Sequence, residues 1–476
     1  MNAPNILFVL ADDMGAWAMG CAGNSEIRTP NLDRLAARGL RLTNAFCVSP
    51  VCSPARASLL TGRIPSQHGV HDWIRRGNSP GESPDRSVVD YLSNQPTVIS
   101  ILAAAGYACG LSGKWHLGNA ITPAAGHSFW RVHARGGGPY YGAPMLRNEV
   151  EYTESHYVTD AITDNALAFL DDRPDEPPFY LGVHYTAPHS PWDRSQHPAE
   201  IFDFYRDHCP FHSAPDLPLH PWQINTAPVG GTREHRRENL SGYFAAITAM
   251  DTGISRLLDR LDADGLSENT LVVFTSDNGM NMGHHGIWGK GNGTYPQNMF
   301  DTSVKVPFLA ALPGAIPPGI VHDGLFSHYD LLPTLLDITG LGACTPPGLP
   351  GTSHARLWLG NNPDVDAEII VFDEYGPVQM IRTRAWKYVH RFPGGPNELY
   401  HLEDDPDENT NLIDSPSHQA VAADLRSRME AWFLRHRDPA FDGRALPVTG
   451  RGQLDRVDSG QCNLFADDWR YLETRA

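Results

Sequence analysis

Four short apolar runs, residues 5–10, 107–111, 179–185 and 271–275, each stop abruptly at polar residues able to do chemistry. The first stops at Asp12-Asp13 and the second at Lys114-Trp115-His116, while the third leads to His189 and the fourth to Asp277-Asn278. Runs of this length and β-branched content predict buried strands. Between them lie helical patterns over 29–38, 54–60, 157–170 and 243–262. Alternating strands and helices predict an α/β fold: a large, mostly parallel central sheet with helices on both faces, ligands gathering at the carboxyl ends of the strands. All four polar clusters then meet at one end of one sheet.

The pattern changes after about residue 361. Residues 369–372, 378–381, 386–392 and 398–402 read as short, tightly connected strands, and about 419–435 as an amphipathic helix. Three parts are expected: an α/β domain over 1–361, a small antiparallel sheet with one helix over 362–438, and an extended tail over 439–476 that wraps the core or a neighbouring subunit. Proline-rich 190–228 reads as a long surface insertion. The longest uncharged stretch, 95–113, is broken by Ser100, Gly106, Gly110 and Ser112, so it reads as a short helix, a turn and a strand and not as a membrane span.

Composition narrows the partners. With 476 residues, 41% of them hydrophobic, the chain can bury a large core. Its net charge of −18 argues against a nucleic-acid backbone or an anionic membrane as partner, so an anionic ligand has to meet locally concentrated cations. Seven cysteines form no regular framework and no basic region precedes the first apolar run, which leads us to expect a cytoplasmic protein.

The segment Val51-Cys52-Ser53-Pro54-Ala55-Arg56 places Ser53 where a helix N-cap would stand and Pro54 at the first helical position. Cys52 then precedes a helix N-terminus, where free amides and the positive end of the dipole favour an anion; Arg56 adds a bidentate fork one turn on. Taken alone, such a cysteine reads as a small buried hydrophobe. Asp12, Asp13, Asp277 and Asn278 offer hard oxygens that suit calcium or magnesium better than zinc, though Asp12-Asp13 could equally cap a helix. The Gly289-Lys290 pair has the wrong spacing for a phosphate-binding P-loop, and Cys21 and Cys47 read as separate buried thiols. His68, His71, Asp72 and Trp73 follow the Cys52 helix and either face a substrate or pack their loop on itself.

Cys52-Ser53-Pro54-Ala55-Arg56 resembles the Cys-x-Pro-x-Arg modification motif of the type I sulfatases, members of the alkaline-phosphatase-like superfamily, whose cysteine is oxidised to formylglycine. Asp12-Asp13, the segment Gly113 to Gly118, Ala187-Pro188-His189-Ser190-Pro191, Ser276-Asp277-Asn278-Gly279 and His285 to Lys290 resemble further motifs of that family, in its order. Near the end, Glu398 to Leu402 with Asp405-Pro406 and Asn411-Leu412 resembles the hairpin of its C-terminal domain. The resemblance implies sulfate-ester hydrolysis, a sulfated sugar or other small sulfate ester as substrate, a calcium ion (magnesium as the alternative) held by Asp12, Asp13, Asp277, Asn278 and modified Cys52, and a formylglycine-generating enzyme as a transient partner. It also implies that Lys114 and Lys290 hold sulfate oxygens, that Arg56 and His116 support the formylglycine, His116 taking its proton, and that His189 protonates the departing alcohol. In many relatives an aromatic-acidic pair closely follows the catalytic lysine; here 292–298 lengthens that connection before Phe300-Asp301 and Lys305-Val306-Pro307. The glycine-rich tail segment 449–453 is expected to reach the site, from its own chain or from a second copy in a homo-oligomer. Two rival functions stand beside this one: a phosphonate monoester or phosphodiester hydrolase of the same superfamily, and a non-catalytic binder of sulfated ligands.

Overall fold

The computed structural model describes residues 3–82, 87–173, 176–360 and 370–467. In chain order, β1 (Asn5–Asp12), β2 (Leu40–Phe46), β3 (Ala108–Lys114), β4 (Phe129–His133), β5 (Ala143–Arg147), β6 (Val150–Glu154), β7 (Phe179–Pro188), β8 (Thr270–Ser276), β9 (Lys305–Val306), β10 (Phe308–Ala311) and β11 (Ile320–Ser327) form one sheet. Its order is β9-β2-β10-β8-β1-β7-β3-β4-β5-β6, with β11 also beside β2. The sheet is mixed. Its centre, β8-β1-β7-β3-β4, is parallel, whereas β10 runs antiparallel between β8 and β2, and β5 and β6 close the far edge antiparallel.

The four strands read from the apolar runs are therefore immediate neighbours pointing the same way, and their carboxyl ends lie side by side. Along β1 the pleat alternates between two cores: Ile6, Phe8 and Leu10 join one, Leu7, Val9 and Ala11 the other. A strand buried on both faces must read as a continuous apolar run, and this one does. Helices α1 (Pro30–Arg38), α3 (Val158–Asp172) and α5 (Arg233–Ala263) pack on the Leu7 side, and α2 (Cys52–Thr61) on the other. Among the described residues no helix is long and apolar enough to cross a membrane.

Several expectations need correction. Helix α5 begins ten residues before the predicted 243, capped by the Thr232 hydroxyl, which accepts from the His235 amide at 3.2 Å. Its first two turns are polar and exposed, so they carry no apolar stripe to read. The stretch 190–228 is more than surface loop: it contains α4 (Ala199–His208), whose Phe202 and Tyr205 are buried in the same core as α5. Flanking prolines hid that one-turn apolar spacing. Helix α2 starts at Cys52, not after Ser53; Val51 is the extended N-cap residue and offers no side-chain cap. Ser53 is used elsewhere, its hydroxyl donating to the His116 carbonyl and accepting from the Ile74 amide, both at 2.9 Å. Pro54 is tolerated because the first-turn amides of a helix have no partner within it.

The small antiparallel sheet orders β12 (Val371–Tyr375), β13 (Val378–Arg382), β14 (Trp386–Arg391) and β15 (Glu398–His401). Phe372, Ile381, Tyr388 and Leu399 bury against Met429 and Phe433 of α6 (Gln419–His436) and against Val48, Ile64 and Tyr329 of the larger part. The predicted start of the first strand at 369, and the boundary at 361–362, lie outside the described residues.

Candidate active site

The parallel centre of the sheet delivers Asp12 and Asp13 from β1, Lys114 and His116 from β3, His189 from β7, and Asp277 and Asn278 from β8. Cys52 enters from the side, on the first turn of α2. Asp12 Oδ1 and Asp13 Oδ1 lie 3.4 and 3.8 Å from its sulfur, and Lys290 Nζ lies 2.7 Å from it. Lys290 arrives on a loop far away in sequence. The Gly291 amide donates to the Pro50 carbonyl at 3.0 Å and the Asn298 amide group to the Lys290 carbonyl at 3.0 Å, so the lengthened connection 292–298 folds back and holds the lysine beside α2.

Three buried cations interleave with three buried carboxylates. Lys114 Nζ contacts Asp12 Oδ2 at 2.6 Å, Lys290 Nζ contacts Asp13 Oδ1, and Arg56 Nε contacts Asp277 Oδ2 at 2.8 Å. Arg56 also donates to the Lys114 carbonyl at 3.0 Å, which ties α2 to the end of β3. Burial pushes the Asp12 carboxyl up to about 7; Lys114 only partly offsets it, and Asp277 and Asp13 push the same way. Burial also raises Asp13 and Asp277, but Lys290, His189 and Lys114 overcome it at Asp13, as Arg56 and Lys114 do at Asp277, leaving both below the usual range. Burial and the Asp12 carboxylate raise the Cys52 thiol well above its ordinary value.

Ligand atoms of Asp12, Asp13 and Asp277 lie within 4.8 Å of one another, as do those of Asp12, Cys52 and His189. Asn278 Nδ2 donates to Asp13 Oδ1 at 2.9 Å, while its buried Oδ1 has no hydrogen-bond partner among the described residues. A buried, unpaired acceptor beside three crowded carboxylates is a set of oxygens that fits a hard divalent cation. Asp13 and His116 both take left-handed backbone, φ 68° and 58°, the kind of strain that concentrates at functional positions.

The two histidines have fixed tautomers. His189 Nδ1 lies 2.7 Å from the Ser190 carbonyl, so its Nε2, 3.8 Å from Asp13 Oδ2, is the nitrogen free to exchange a proton. His116 Nε2 lies 2.9 Å from the Ile74 carbonyl, and its Nδ1 has no hydrogen-bond partner among the described residues. Burial lowers both imidazoles, to about 4 for His189. These groups line a cleft of about 650 Å³ together with Trp73, Arg75, Arg135, the glycines 136–138 and Arg451.

The sequence profile of the sulfatase family matches residues 4–341, and that of the N-sulphoglucosamine sulphohydrolase C-terminal region matches 283–434. The chain belongs to the sulfatase family. It is a sulfate ester hydrolase. It is 32% identical to an ulvan-active sulfatase of Formosa agariphila, over 90% of this chain and 80% of that one, and 32% identical to arylsulfatase A of Bos taurus, over 89% and 86%. A solved structure of a protein in complex with its substrate D-glucosamine-2-N,6-O-disulfate shares the fold, with a TM-score of 0.77, 24% identity and coverage of 93% of this chain and 99% of that one. The phosphonate monoester hydrolase of Agrobacterium radiobacter shares it too, with a TM-score of 0.68 and 20% identity over 91% of this chain and 96% of that one.

Not every predicted residue reaches the sulfatase cleft. Cys52, His116, His189, Lys290 and Asp13 line it, and Arg56, Lys114, Asp12, Asp277 and Asn278 lie directly behind them. Of the loop after α2, Trp73 lines the cleft, whereas the other three do not. His68 lies 3.1 Å from the Ser58 hydroxyl, His71 2.8 Å from the Phe441 carbonyl, and Asp72 accepts from Tyr375 and from the Gly452 amide. They fasten the loop and the tail. Cys47 is buried apart from Cys52, and Cys21 is only half-buried.

Sequence reasoning missed the loop 135–138. A Cβ at Gly136 would lie 2.1 Å from His116 Nε2, so only glycine lets this backbone cross the imidazole. The run Gly136-Gly137-Gly138 was the available signal. The tail segment 449–453 reaches the cleft from within its own chain, where Ile74 bridges Gln453 and both Trp73 Nε1 and Asn292 Nδ2 donate to the Gly450 carbonyl at 3.1 Å.

Proposed function

We propose that this sulfatase removes sulfate from a sulfated sugar, with Cys52 oxidised to formylglycine by a formylglycine-generating enzyme and a calcium ion held by Asp12, Asp13, Asp277, Asn278 and residue 52. The observation that carries the proposal is the convergence of Cys52 with Asp12, Asp13 and Lys290 on the floor of a cleft large enough for a sugar. Calcium is favoured by an all-oxygen side-chain set with one acceptor, Asn278 Oδ1, left over. Sulfated sugars are supported by Trp73, a ring on which a sugar can stack, and by the names of relatives, which include an N-acetylglucosamine-6-O-sulfatase of Bacteroides thetaiotaomicron, 26% identical over 99% of this chain and 91% of that one.

When bound, the ion supplies charge neutralisation and Lewis acidity. The modified residue 52 supplies a hydrated aldehyde, with one hydroxyl to attack sulfur and a second whose loss of a proton expels sulfate. The chain's own groups do the rest. Lys114 and Lys290 neutralise charge building on the sulfuryl oxygens, held in place by pairing with Asp12 and Asp13. Arg56, fixed between Asp277 and the Lys114 carbonyl, positions residue 52. His189 gives its Nε2 proton to the leaving oxygen, and His116 accepts a proton at Nδ1.

The test is mass spectrometry of the Cys52 peptide alongside sulfate release from sulfated monosaccharides, choline sulfate, an aryl sulfate and an aryl phosphonate. Formylglycine and preferential sulfate release from a sugar are expected. A homogeneous thiol in active enzyme overturns the modification, and preferred turnover of the phosphonate overturns the substrate class.

A further inference from the structure

The cleft wall contains a cationic group that the hydrolysis of a simple sulfate ester does not use. The chain carries a net charge of −18, yet among the described residues lining the cleft Arg75, Arg135, Lys290 and Arg451 outnumber the acids Asp13 and Glu82. Lys290 is committed to Asp13 on the floor. The arginines belong to the walls, and a local reversal of sign inside an acidic protein concentrates anions there.

Arg451 is the best placed of the three. Its side chain is 1% exposed, among the largest buried side chains of the protein, and its guanidinium lies 5.7 Å from the Tyr295 ring centre. Burying a guanidinium is costly, and that cost is recovered where an anion binds. The backbone on either side is pinned: the Gly450 carbonyl accepts from Trp73 and Asn292, the Gly452 amide donates to Asp72 Oδ2 at 3.0 Å, and the Gln453 amide donates to the Trp73 carbonyl at 2.8 Å. Gly450 and Gly452, with φ 80° and 111°, flank the arginine, and a Cβ at 452 would lie 2.7 Å from Arg75 Cβ. The strap is shaped to present one side chain, before any ligand arrives. It also lies beyond both family profiles, which end at 341 and 434.

We propose that Arg451 forms the core of a second anion subsite, completed at the cleft mouth by Arg135, and that the preferred substrate is a sulfate ester bearing a further anionic group, a second sulfate or a carboxylate. The proposal rests on the sulfatase activity and adds a requirement to it. Arg135 sits beside the loop that crosses His116 and is 45% exposed, able to swing onto an entering ligand.

The test compares kcat/KM for glucosamine 6-sulfate, glucosamine 2-N,6-O-disulfate, a 6-sulfated glucosamine linked to a uronic acid, and 4-nitrophenyl sulfate. The wild type is expected to favour one of the two doubly anionic sugars by about tenfold or more, and which one it favours separates sulfate from carboxylate. Arg451→Gln is expected to erase that preference chiefly through KM, with Arg451→Lys restoring part of it and Arg135→Gln lowering it about threefold. An unchanged ratio of doubly to singly anionic turnover in Arg451→Gln, at wild-type melting temperature, overturns the subsite and leaves the sulfatase standing. If Arg451→Gln melts early, Arg135→Gln carries the test, and an unchanged ratio there overturns the proposal equally. Failure of the wild type to release sulfate from any ester overturns the activity and the subsite together.

Discussion

At the carboxyl end of the sheet, Asp12, Asp13 and Asp277 interleave with Arg56, Lys114 and Lys290. Where the small sheet meets the larger one, Asp301 and Glu408 interleave with Lys387 and Arg382. Both clusters are buried and built from the same residue types. The second is closed: Lys387, fully buried on β14, lies 2.9 Å from Asp301 and 2.5 Å from Glu408, and the Asp301 amide donates to Glu408 at 2.6 Å. The first opens on a cleft and leaves Asn278 Oδ1 and Arg56 Nη2 without hydrogen-bond partners among the described residues. Buried charge alone therefore does not mark a reacting centre. Unspent valency facing a cavity does, and a closed cluster of the same composition locks two sheets together.

The sharpest way to separate the clusters is to remove the residue that only the open one contains. Cys52→Ala is expected to lower sulfate release by at least about 10³-fold, because no other group at the site can attack sulfur, while far-UV circular dichroism stays unchanged. Lys290→Met, tested in the same assay, is expected to cost about 10²–10³-fold in kcat/KM. Lys387→Met attacks the other cluster. It strands two buried carboxylates and is expected to cost about 3–5 kcal/mol of stability, read by chemical denaturation. If it abolishes turnover at wild-type stability, the division between centre and lock is wrong.

A subtler contrast comes from cations. Calcium returned to chelated enzyme at a hundredfold excess over its dissociation constant is expected to stabilise the wild type by about 2–3 kcal/mol. Asp277→Asn should lose most of that gain, whereas Lys387→Met, starting lower, should keep it. Equal gains in wild type and Asp277→Asn would place the ion elsewhere.

The open cluster was legible in the sequence because each of its parts ends a run of apolar residues. Asp12, Lys114, His189 and Asp277 could be assigned to one sheet edge from strand pattern alone, and the sulfatase resemblance supplied their company with Cys52. The closed cluster was not legible. Asp301 read as part of the family's catalytic neighbourhood, yet it serves Lys387 and Arg382, eighty-odd residues on, through contacts no local pattern encodes. The same limit explains the loop after α2. His68, His71 and Asp72 look like site residues because polar groups near a reactive cysteine usually are. Their partners are Ser58, Phe441, Tyr375 and Gly452, mostly distant in the chain. The left-handed backbone of Asp13 and His116 leaves no signature either, since neither is a glycine.

The smallest expected effect concerns the strap that walls the open cluster's cleft. Gly452 takes φ 111°, donates to Asp72, and accepts from the Ala466 amide at 2.9 Å, so its backbone cannot relax without breaking one of these bonds. Alanine there adds a Cβ 2.7 Å from that of Arg75 in a conformation L-residues rarely adopt, a strain of about 1–3 kcal/mol. Because the strap touches the cleft wall and none of the groups around residue 52, that strain should appear as local loosening. Gly452→Ala is expected to raise KM for a sulfated sugar about threefold at nearly constant kcat, with hydrogen exchange accelerated at 449–453 and unchanged around Lys387. A fall in kcat of similar size would mean that the strap positions the floor of the cleft as well as its wall.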